Sequence, residues 1–201
     1  MRGVAMNLLA LLGSPKEKGN TALLLDHYLR GVKECDKSAR VETVFLHGKD
    51  IHPCTGCYTC VDTGGTCVID DDMQDLYTKI KEADAFIFAT PIYWWSITAQ
   101  LKKFIDRMCP ITSRDLEGKK FALLMTYGAA PPNRGPEMVT DMFKEIWHSF
   151  KVDFVHVYST CTEDHLPVSE NEKAQRDAYE LGKDLARKIA AEGHICRKNI
   201  Q

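Results

Sequence analysis

Four thiols crowd one stretch of this 201-residue chain: Cys54, Cys57, Cys60 and Cys67 fall within 14 residues. In a reducing compartment, a thiol cluster this dense is more often metal-binding or catalytic than a disulfide framework. The pattern Cys-x2-Cys-x2-Cys-x6-Cys supplies four thiolates from one loop, enough for a [4Fe–4S] cluster. Its first three spacings match a ferredoxin-type run, although the fourth cysteine is displaced and no proline follows it. Four cysteines also suit a closed tetrahedral zinc site, but such sites more often pair two Cys-x-x-Cys units far apart. Free or oxidised thiols are the remaining reading. Iron–sulfur ranks first and zinc last. Cys35, Cys109, Cys161 and Cys196 are scattered, and the seven histidines show no ligand spacing. His52, beside the cysteines, reads as a solvated loop residue.

A second stretch, Gly13-Ser14-Pro15-Lys16-Glu17-Lys18-Gly19-Asn20-Thr21, is suited to an anion. It joins Met6–Leu12, an apolar run of buried-strand character, to Ala22–Leu25, Tyr28, Leu29 and Val32 at helical spacing. The N–H groups of a first helical turn have no intrahelical acceptor, and the helix dipole favours negative charge there. Ser14, Asn20 and Thr21 add side-chain donors suited to a phosphate. The loop lacks the Gly-Lys-Ser/Thr ending of a P-loop. It also lacks a G-x-G-x-x-G fingerprint, having only Gly13 and Gly19. Taken alone it reads equally well as a β–α turn in which Asn20 or Thr21 is an N-cap.

The elements that must position these loops alternate along the chain. Arg40–Leu46 reads as a second strand of alternating polarity, and the cysteine loop after it is bounded by Pro53 and Gly64-Gly65. Asp70, Asp71 and Asp72 are candidate N-caps for a helix through Met73, Leu76, Ile80 and Ala83. Ala85–Thr90 is an apolar third strand running into Pro91-Ile92-Tyr93-Trp94-Trp95-Ser96, and residues 97–108 read as a helix. Phe121–Thr126 and Val152–Tyr158 supply two more strands. Between them lies a helix whose predicted face is Met138, Met142, Ile146 and Phe150. Ala174, Ala178, Leu181, Leu185 and Ile189 mark a closing helix.

Strict β/α alternation predicts an α/β fold, a doubly wound parallel sheet with helices on both faces. Five strands favour the flavodoxin-like order 2-1-3-4-5 in one domain over residues 1–201, with a cysteine-rich loop at 52–69. Ligands of such sheets sit beyond the carboxyl ends of the strands, near the switch between strands 1 and 3. The loops Gly13–Thr21, Pro91–Ser96 and Thr126–Ala130 are therefore expected to line one crevice. Tyr93, Trp94, Trp95 and Tyr127 can stack on or edge a planar ring there. Three consecutive aromatics are hard to bury together, which puts at least one at the crevice or an interface.

Composition narrows the function classes. Hydrophobic content of 44% with 27% charged residues suits a globular chain, and a net charge of −2 argues for neither nucleic acid nor an anionic membrane surface. No apolar run approaches the roughly 20 residues that span a bilayer. The start, Met1–Met6, leads into the first strand without a signal-peptide layout, so a cytoplasmic location is expected.

Gly13-Ser14-Pro15 with Gly19-Asn20-Thr21, then Pro91-Ile92-Tyr93, then Lys102 and Phe104-Ile105-Asp106-Arg107, resemble the NADPH-dependent FMN reductase family. The cysteine loop followed by Asp71-Asp72-Met73 is similar to its iron–sulfur flavoprotein branch. The resemblance covers roughly residues 6–128. It implies that Ser14, Lys16, Asn20, Thr21 and Ala22 hold an FMN phosphate. Pro91, Ile92, Tyr93 and Trp94 would then run along the isoalloxazine, and Thr126, Tyr127 and Gly128 close the opposite side. Lys102, Asp106 and Arg107 read as structural, with Asp106 and Arg107 as a local pair of small worth. No catalytic acid or base is expected, because the flavin carries the redox chemistry. The expectation is an FMN-dependent oxidoreductase, by resemblance a homodimer or homotetramer. Its donor would be NAD(P)H or a ferredoxin-like protein, with Cys54, Cys57, Cys60 and Cys67 holding a [4Fe–4S] relay. A cluster-free NAD(P)H-dependent flavin or quinone reductase, or a non-enzymatic flavodoxin-like carrier, is the alternative. A carrier usually docks through a strongly acidic face, which the near-neutral charge does not supply.

Overall fold

The computed structural model describes residues 5–162 and 166–198; Met1–Val4, read above as the lead into the first strand, lie outside it. The side chain of Cys196 is likewise outside the description. Five strands form one parallel sheet: β1 (Asn7–Leu12), β2 (Arg40–Phe45), β3 (Ala85–Pro91), β4 (Lys120–Tyr127) and β5 (Asp153–Cys161). Their order is β2-β1-β3-β4-β5, as the alternation predicts. The three inner strands are buried on both faces, which is why they read as continuous apolar runs. β2 and β5 are edges and carry the mixed polarity of half-covered strands.

Seven α-helices accompany the sheet among the described residues: α1 (Asn20–Cys35), α2 (Thr59–Asp62), α3 (Met73–Glu82), α4 (Ala99–Asp106), α5 (Ser113–Leu116), α6 (Gly135–Phe150) and α7 (Glu172–Lys198). On one face, α1 and α7 pack against Leu8, Ala10, Leu12 and Ile87. On the other, α3, α4 and α6 bury an aromatic cluster of Phe86, Phe88, Phe121, Phe143 and Trp147. Phe121 sits 5.0 Å from Phe88 and 4.9 Å from Trp147 between ring centroids. These two large rings decide the rotation of α6. Its fully buried stripe is Val139, Phe143 and Trp147, one position on from the predicted face, and Met138 is left exposed. Of the predicted stripe, Met142, Ile146 and Phe150 pack at its margin.

Helices α1 and α7 cross at backbone contact. A Cβ on Gly31 would lie 1.9 Å from the Tyr179 carbonyl oxygen, and one on Gly182 would lie 1.9 Å from that of Tyr28. Beside this crossing the buried Tyr28 hydroxyl bonds His156 Nδ1 at 2.8 Å, and His156 Nε2 bonds Asp184 at 2.9 Å. Burial lowers the His156 imidazole from its usual value, and the bond to Asp184 opposes that shift. This network lies at the α7 face and joins β5 to both helices.

Gly31→Ala is expected to destabilise the fold by about 3 kcal/mol, the upper part of the overpacking range. That exceeds the roughly 1 kcal/mol an Ala gains over Gly in a helix. Chemical denaturation of the two proteins checks it.

Candidate functional site

The loops after β1, β3 and β4 converge on one groove of about 220 Å³. From the first come Ser14, Lys16, Gly19, Asn20 and Thr21; from the second Pro91, Ile92 and Tyr93; from the third Thr126, Tyr127 and Gly128. Ten predicted contacts therefore meet at one place. The half-buried Ala22 side chain packs against the core and not into the groove, so what Ala22 can offer there is its first-turn N–H. Trp94 does not reach the groove, standing 89% exposed at the tip of its loop. Gly19, part of the loop motif but given no contact role by the sequence, and Thr162 also line the groove. Thr162 comes from just beyond β5, where no spacing pattern distinguishes it.

The first loop is shaped from within. The buried Ser14 hydroxyl accepts from the Lys16 N–H at 3.0 Å and donates to the Lys16 carbonyl at 3.2 Å. The Gly13 N–H donates to the Ala89 carbonyl at 2.8 Å, locking the loop to the end of β3. Thr98, the N-cap of α4, donates to the Gly13 carbonyl at 2.5 Å. A Cβ on Gly13 would meet Leu101 Cβ at 3.1 Å, so glycine lets α4 come this close.

Gly19, not Asn20 or Thr21, occupies the N-cap of α1, and no side chain caps the helix. Its first-turn N–H groups therefore point out of the helix without an internal acceptor. Asn20 turns its side-chain oxygen away to accept from the Val168 N–H at 2.9 Å, leaving its NH₂ as the donating half. Thr21 and Thr126 share a hydroxyl–hydroxyl bond of 2.7 Å across the floor. Burial pushes the Tyr127 phenol above its usual value, so it remains a neutral O–H donor at the wall. An uncapped helix start, a lysine, hydroxyls and an amide fit a phosphate in kind.

The second loop is a tight turn. The Tyr93 N–H donates to the Ser96 carbonyl at 2.9 Å, and the Ser96 N–H returns a bond of 3.0 Å to Tyr93. Trp94 and Trp95 between them have φ of 47° and 59°. Two left-handed residues make this the type I′ geometry that favours Asn-Gly. All three aromatics of the loop are exposed, and Tyr93 lines the groove.

The cysteine loop surrounds a second cavity of about 150 Å³. Cys54, Cys57, Cys60 and Cys67 all line it, joined by Cys109 and Arg107 from the end of α4. Cys60 lies against the Cys109 thiol; burial first, then this contact, raises its pKa. Cys57 is shifted the other way by hydrogen bonds from Thr59. Among the described residues, no three His, Cys, Asp or Glu groups converge closely enough to hold one metal ion. The donor set nonetheless fits an iron–sulfur cluster in kind: four soft sulfur ligands on one loop, beside a buried cation.

Asp106 and Arg107 do not pair with each other, contrary to the local reading. Asp106 bonds Lys102 one turn back at 2.5 Å. Arg107 turns inward and forks onto Asp71, with bonds of 2.6 and 3.1 Å. Both side chains are fully buried. Burial pushes the Asp71 carboxyl up, but Arg107 and the N–H groups of His52 and Met73 hold it below the usual carboxylate range. Asp72 takes the N-cap position of α3 without capping through its side chain, while Asp71 accepts from the Met73 N–H at 3.0 Å. The exposed His52 ring stands 3.5 Å from Asp71, and its backbone carbonyl is bound by Arg107.

A larger open groove of about 640 Å³ lies at the opposite end of the sheet, along the starts of β1 and β2. Its Lys79 is paired with Glu42 and Asp75, and no candidate chemistry gathers there.

Comparison with known proteins gives matches both in sequence and in fold. The family NADPH-dependent FMN reductase matches residues 6–159. An iron-sulfur flavoprotein of Archaeoglobus fulgidus is 43% identical over 184 residues, 90% of this chain and 79% of that one. An iron-sulfur flavoprotein of Methanosarcina thermophila is 37% identical over 125 residues, spanning 62% of this chain and 61% of the relative. In structure, the NAD(P)H:quinone oxidoreductase from Methanothermobacter marburgensis superposes with a TM-score of 0.69 at 18% identity, covering 90% of this chain and all of the other. An FMN-dependent NADH-azoreductase from Bacillus anthracis in complex with FMN gives 0.66 at 12% identity, over 90% and 99% of the two chains. At such identities the likeness is one of fold.

Replacing Trp94-Trp95 with Asn-Gly is expected to stabilise the protein by about 1–3 kcal/mol, because non-glycine residues at these angles carry strain of that order. Thermal and denaturant unfolding of the double variant measure it.

Proposed function

We propose, for a chain that belongs to the NADPH-dependent FMN reductase family, that the groove at the ends of β1, β3 and β4 is its FMN site and that the cysteine loop carries an electron relay. The chain is an FMN-dependent flavin oxidoreductase, and no helix among the described residues is long and apolar enough to cross a membrane. The observation that carries the site assignment is the convergence of three separate loops on one groove beside an uncapped helix start.

In this reading Ser14, Lys16, Asn20 and Thr21 hold the phosphate with the first-turn N–H groups of α1. Pro91, Ile92 and Tyr93 supply one wall along the ring system, and Thr126, Tyr127 and Gly128 the other. Bound in this way, the flavin supplies two-electron chemistry and the cluster one-electron chemistry. The chain's part is to bind, to orient and to keep donors aimed at fixed positions. Electrons would arrive from NAD(P)H or a ferredoxin-like protein. Exposed Tyr58, Val61, Val68, Trp94 and Trp95 support self-association, in keeping with a homodimer or homotetramer.

Cys54, Cys57, Cys60 and Cys67 are the proposed ligands of a [4Fe–4S] cluster. Zinc draws four sulfurs to about 2.3 Å from a single point. A cubane is a larger body that receives each thiolate at its own iron, so its ligands stand farther apart. The close run of four cysteines on one loop, where zinc sites more often pair two distant Cys-x-x-Cys units, weighs against zinc among the metal readings. The lack of a metal-holding group among the described residues favours, as second reading, a cluster-free NAD(P)H-dependent reductase whose thiols stay free.

Protein purified anaerobically is expected to show flavin absorption over a broad shoulder, with about four iron and four sulfide per chain. Flavin bands without iron leave the cluster-free reductase. Failure to bind added FMN sinks both. Changing Asn20 and Thr21 together to Ala is expected to weaken FMN binding by about tenfold or more, since each bond to a charged phosphate is worth about 1.5–3 kcal/mol. Cys57→Ala should remove iron and leave FMN bound; loss of both on that change would show that the loop supports the flavin site as well.

A further inference from the structure

Arg107 holds a position that no local motif explains. It follows α4 immediately and is 1% exposed, yet every group that its guanidinium binds belongs to the segment 52–71. Nη1 donates to the His52 carbonyl at 2.9 Å, just ahead of the first cysteine. Nη2 donates to the Ile69 carbonyl at 3.4 Å, just beyond the last. Both nitrogens bind Asp71, and Nη2 reaches the Cys67 sulfur at 3.4 Å. Its Nε is buried with no partner among the described residues. The arginine is fixed in turn, because the Tyr77 hydroxyl donates to its carbonyl at 2.8 Å.

One planar cation thus ties the entry and exit of the cysteine loop together and touches one of its four thiols. Lysine has no such fork: its ammonium is a single point and cannot serve both ends and the sulfur in one plane. We propose that Arg107 is a positioning residue of the cysteine site, closing the loop around the cluster and donating an N–H···S bond to the ligand Cys67. This rests on the iron–sulfur reading of the loop. Hydrogen bonds to ligand sulfurs stabilise the more electron-rich, reduced cluster and so raise its potential. An arginine serving only as a structural ion pair with Asp71 would act on the cluster through its charge alone, so Arg107→Lys, which keeps that charge, would leave the potential at its wild-type value.

Arg107→Lys, Arg107→Gln and Asp71→Asn, prepared anaerobically with the wild type, separate these roles. Both Arg107 variants are expected to lose iron to a chelator about tenfold faster or more, the usual scale for outer partners of metal ligands. At the wild-type midpoint their oxidised-to-reduced ratio should rise about tenfold, a fall of about 59 mV for one electron. FMN content should stay at the wild-type level, because Arg107 does not line the flavin groove. Asp71→Asn keeps the N–H···S donor and removes a negative charge, so its potential should not fall as those of the Arg107 variants do. Wild-type potential and iron retention in both Arg107 variants overturns the proposal, as does an Asp71→Asn shift equal to theirs. Should the Arg107 variants not fold, wild-type protein carrying arginine labelled with the heavy nitrogen isotope is read by pulsed EPR of the reduced cluster. Coupling to that nitrogen supports the contact, and its absence overturns it. A wild type without iron or sulfide is a different result, which removes the iron–sulfur reading before any variant is compared.

Discussion

Everything in this molecule depends on five strands running in one direction. Because β1, β3 and β4 are parallel and adjacent, the loops that leave them emerge at one edge of the sheet. That edge is where backbone donors are freed by the start of α1 and where two walls face each other across a groove. The inner strands can carry this load because both faces are sealed, one by α1 and α7 and the other by the aromatic cluster under α6. A binding groove at the open end of such a sheet gains its rigidity from strands whose own hydrogen bonds are complete.

The two candidate sites are built on different principles. The groove proposed for flavin inherits its shape from strand ends, and its internal bonds, such as Gly13 to Ala89 and Thr21 to Thr126, tie neighbouring elements of the sheet and α1. The cysteine site sits on a long loop with a single helical turn of its own, α2, and draws its closure from a cation outside the loop. Burying that cation is tolerable only because Asp71 is buried with it and forked onto it. The fork takes one N–H from each terminal nitrogen; Nη1 gives its other to the His52 carbonyl, and Nη2 shares its other between the Ile69 carbonyl and the Cys67 sulfur.

Much of this was legible in the residues. Apolar runs marked the three inner strands and alternating polarity marked β2, each to within a few positions, and the topology then placed three distant loops around one groove. What could not be read was contact made across the chain. Arg107 and Asp71 are 36 positions apart, and nothing in the neighbourhood of either distinguishes their fork from an ordinary surface pair. The Ala22 side chain faces the core although its neighbours line the groove, since a helix turns side chains by rotation and not by proximity in sequence. The rotation of α6 was set by which rings fit against Phe88 and Phe121, a matter of packing that spacing by three and four leaves undecided. The turn at Trp94-Trp95 lacked the glycine that ordinarily announces left-handed backbone.

The helix α4 begins on one loop and ends on the other. Its N-cap, Thr98, holds the carbonyl of Gly13, and the residue after its last turn is Arg107. Nine steps of about 1.5 Å put the two anchor points roughly 13 Å apart along the axis. Each residue of a helix also turns the chain by about 100°. One residue added to or removed from α4 would therefore swing the guanidinium to another side of the axis while hardly changing its height. The gap between the loop after β1 and the cysteine loop is thus a ruler graduated in helical turns, and its length can be revised only in near-whole turns.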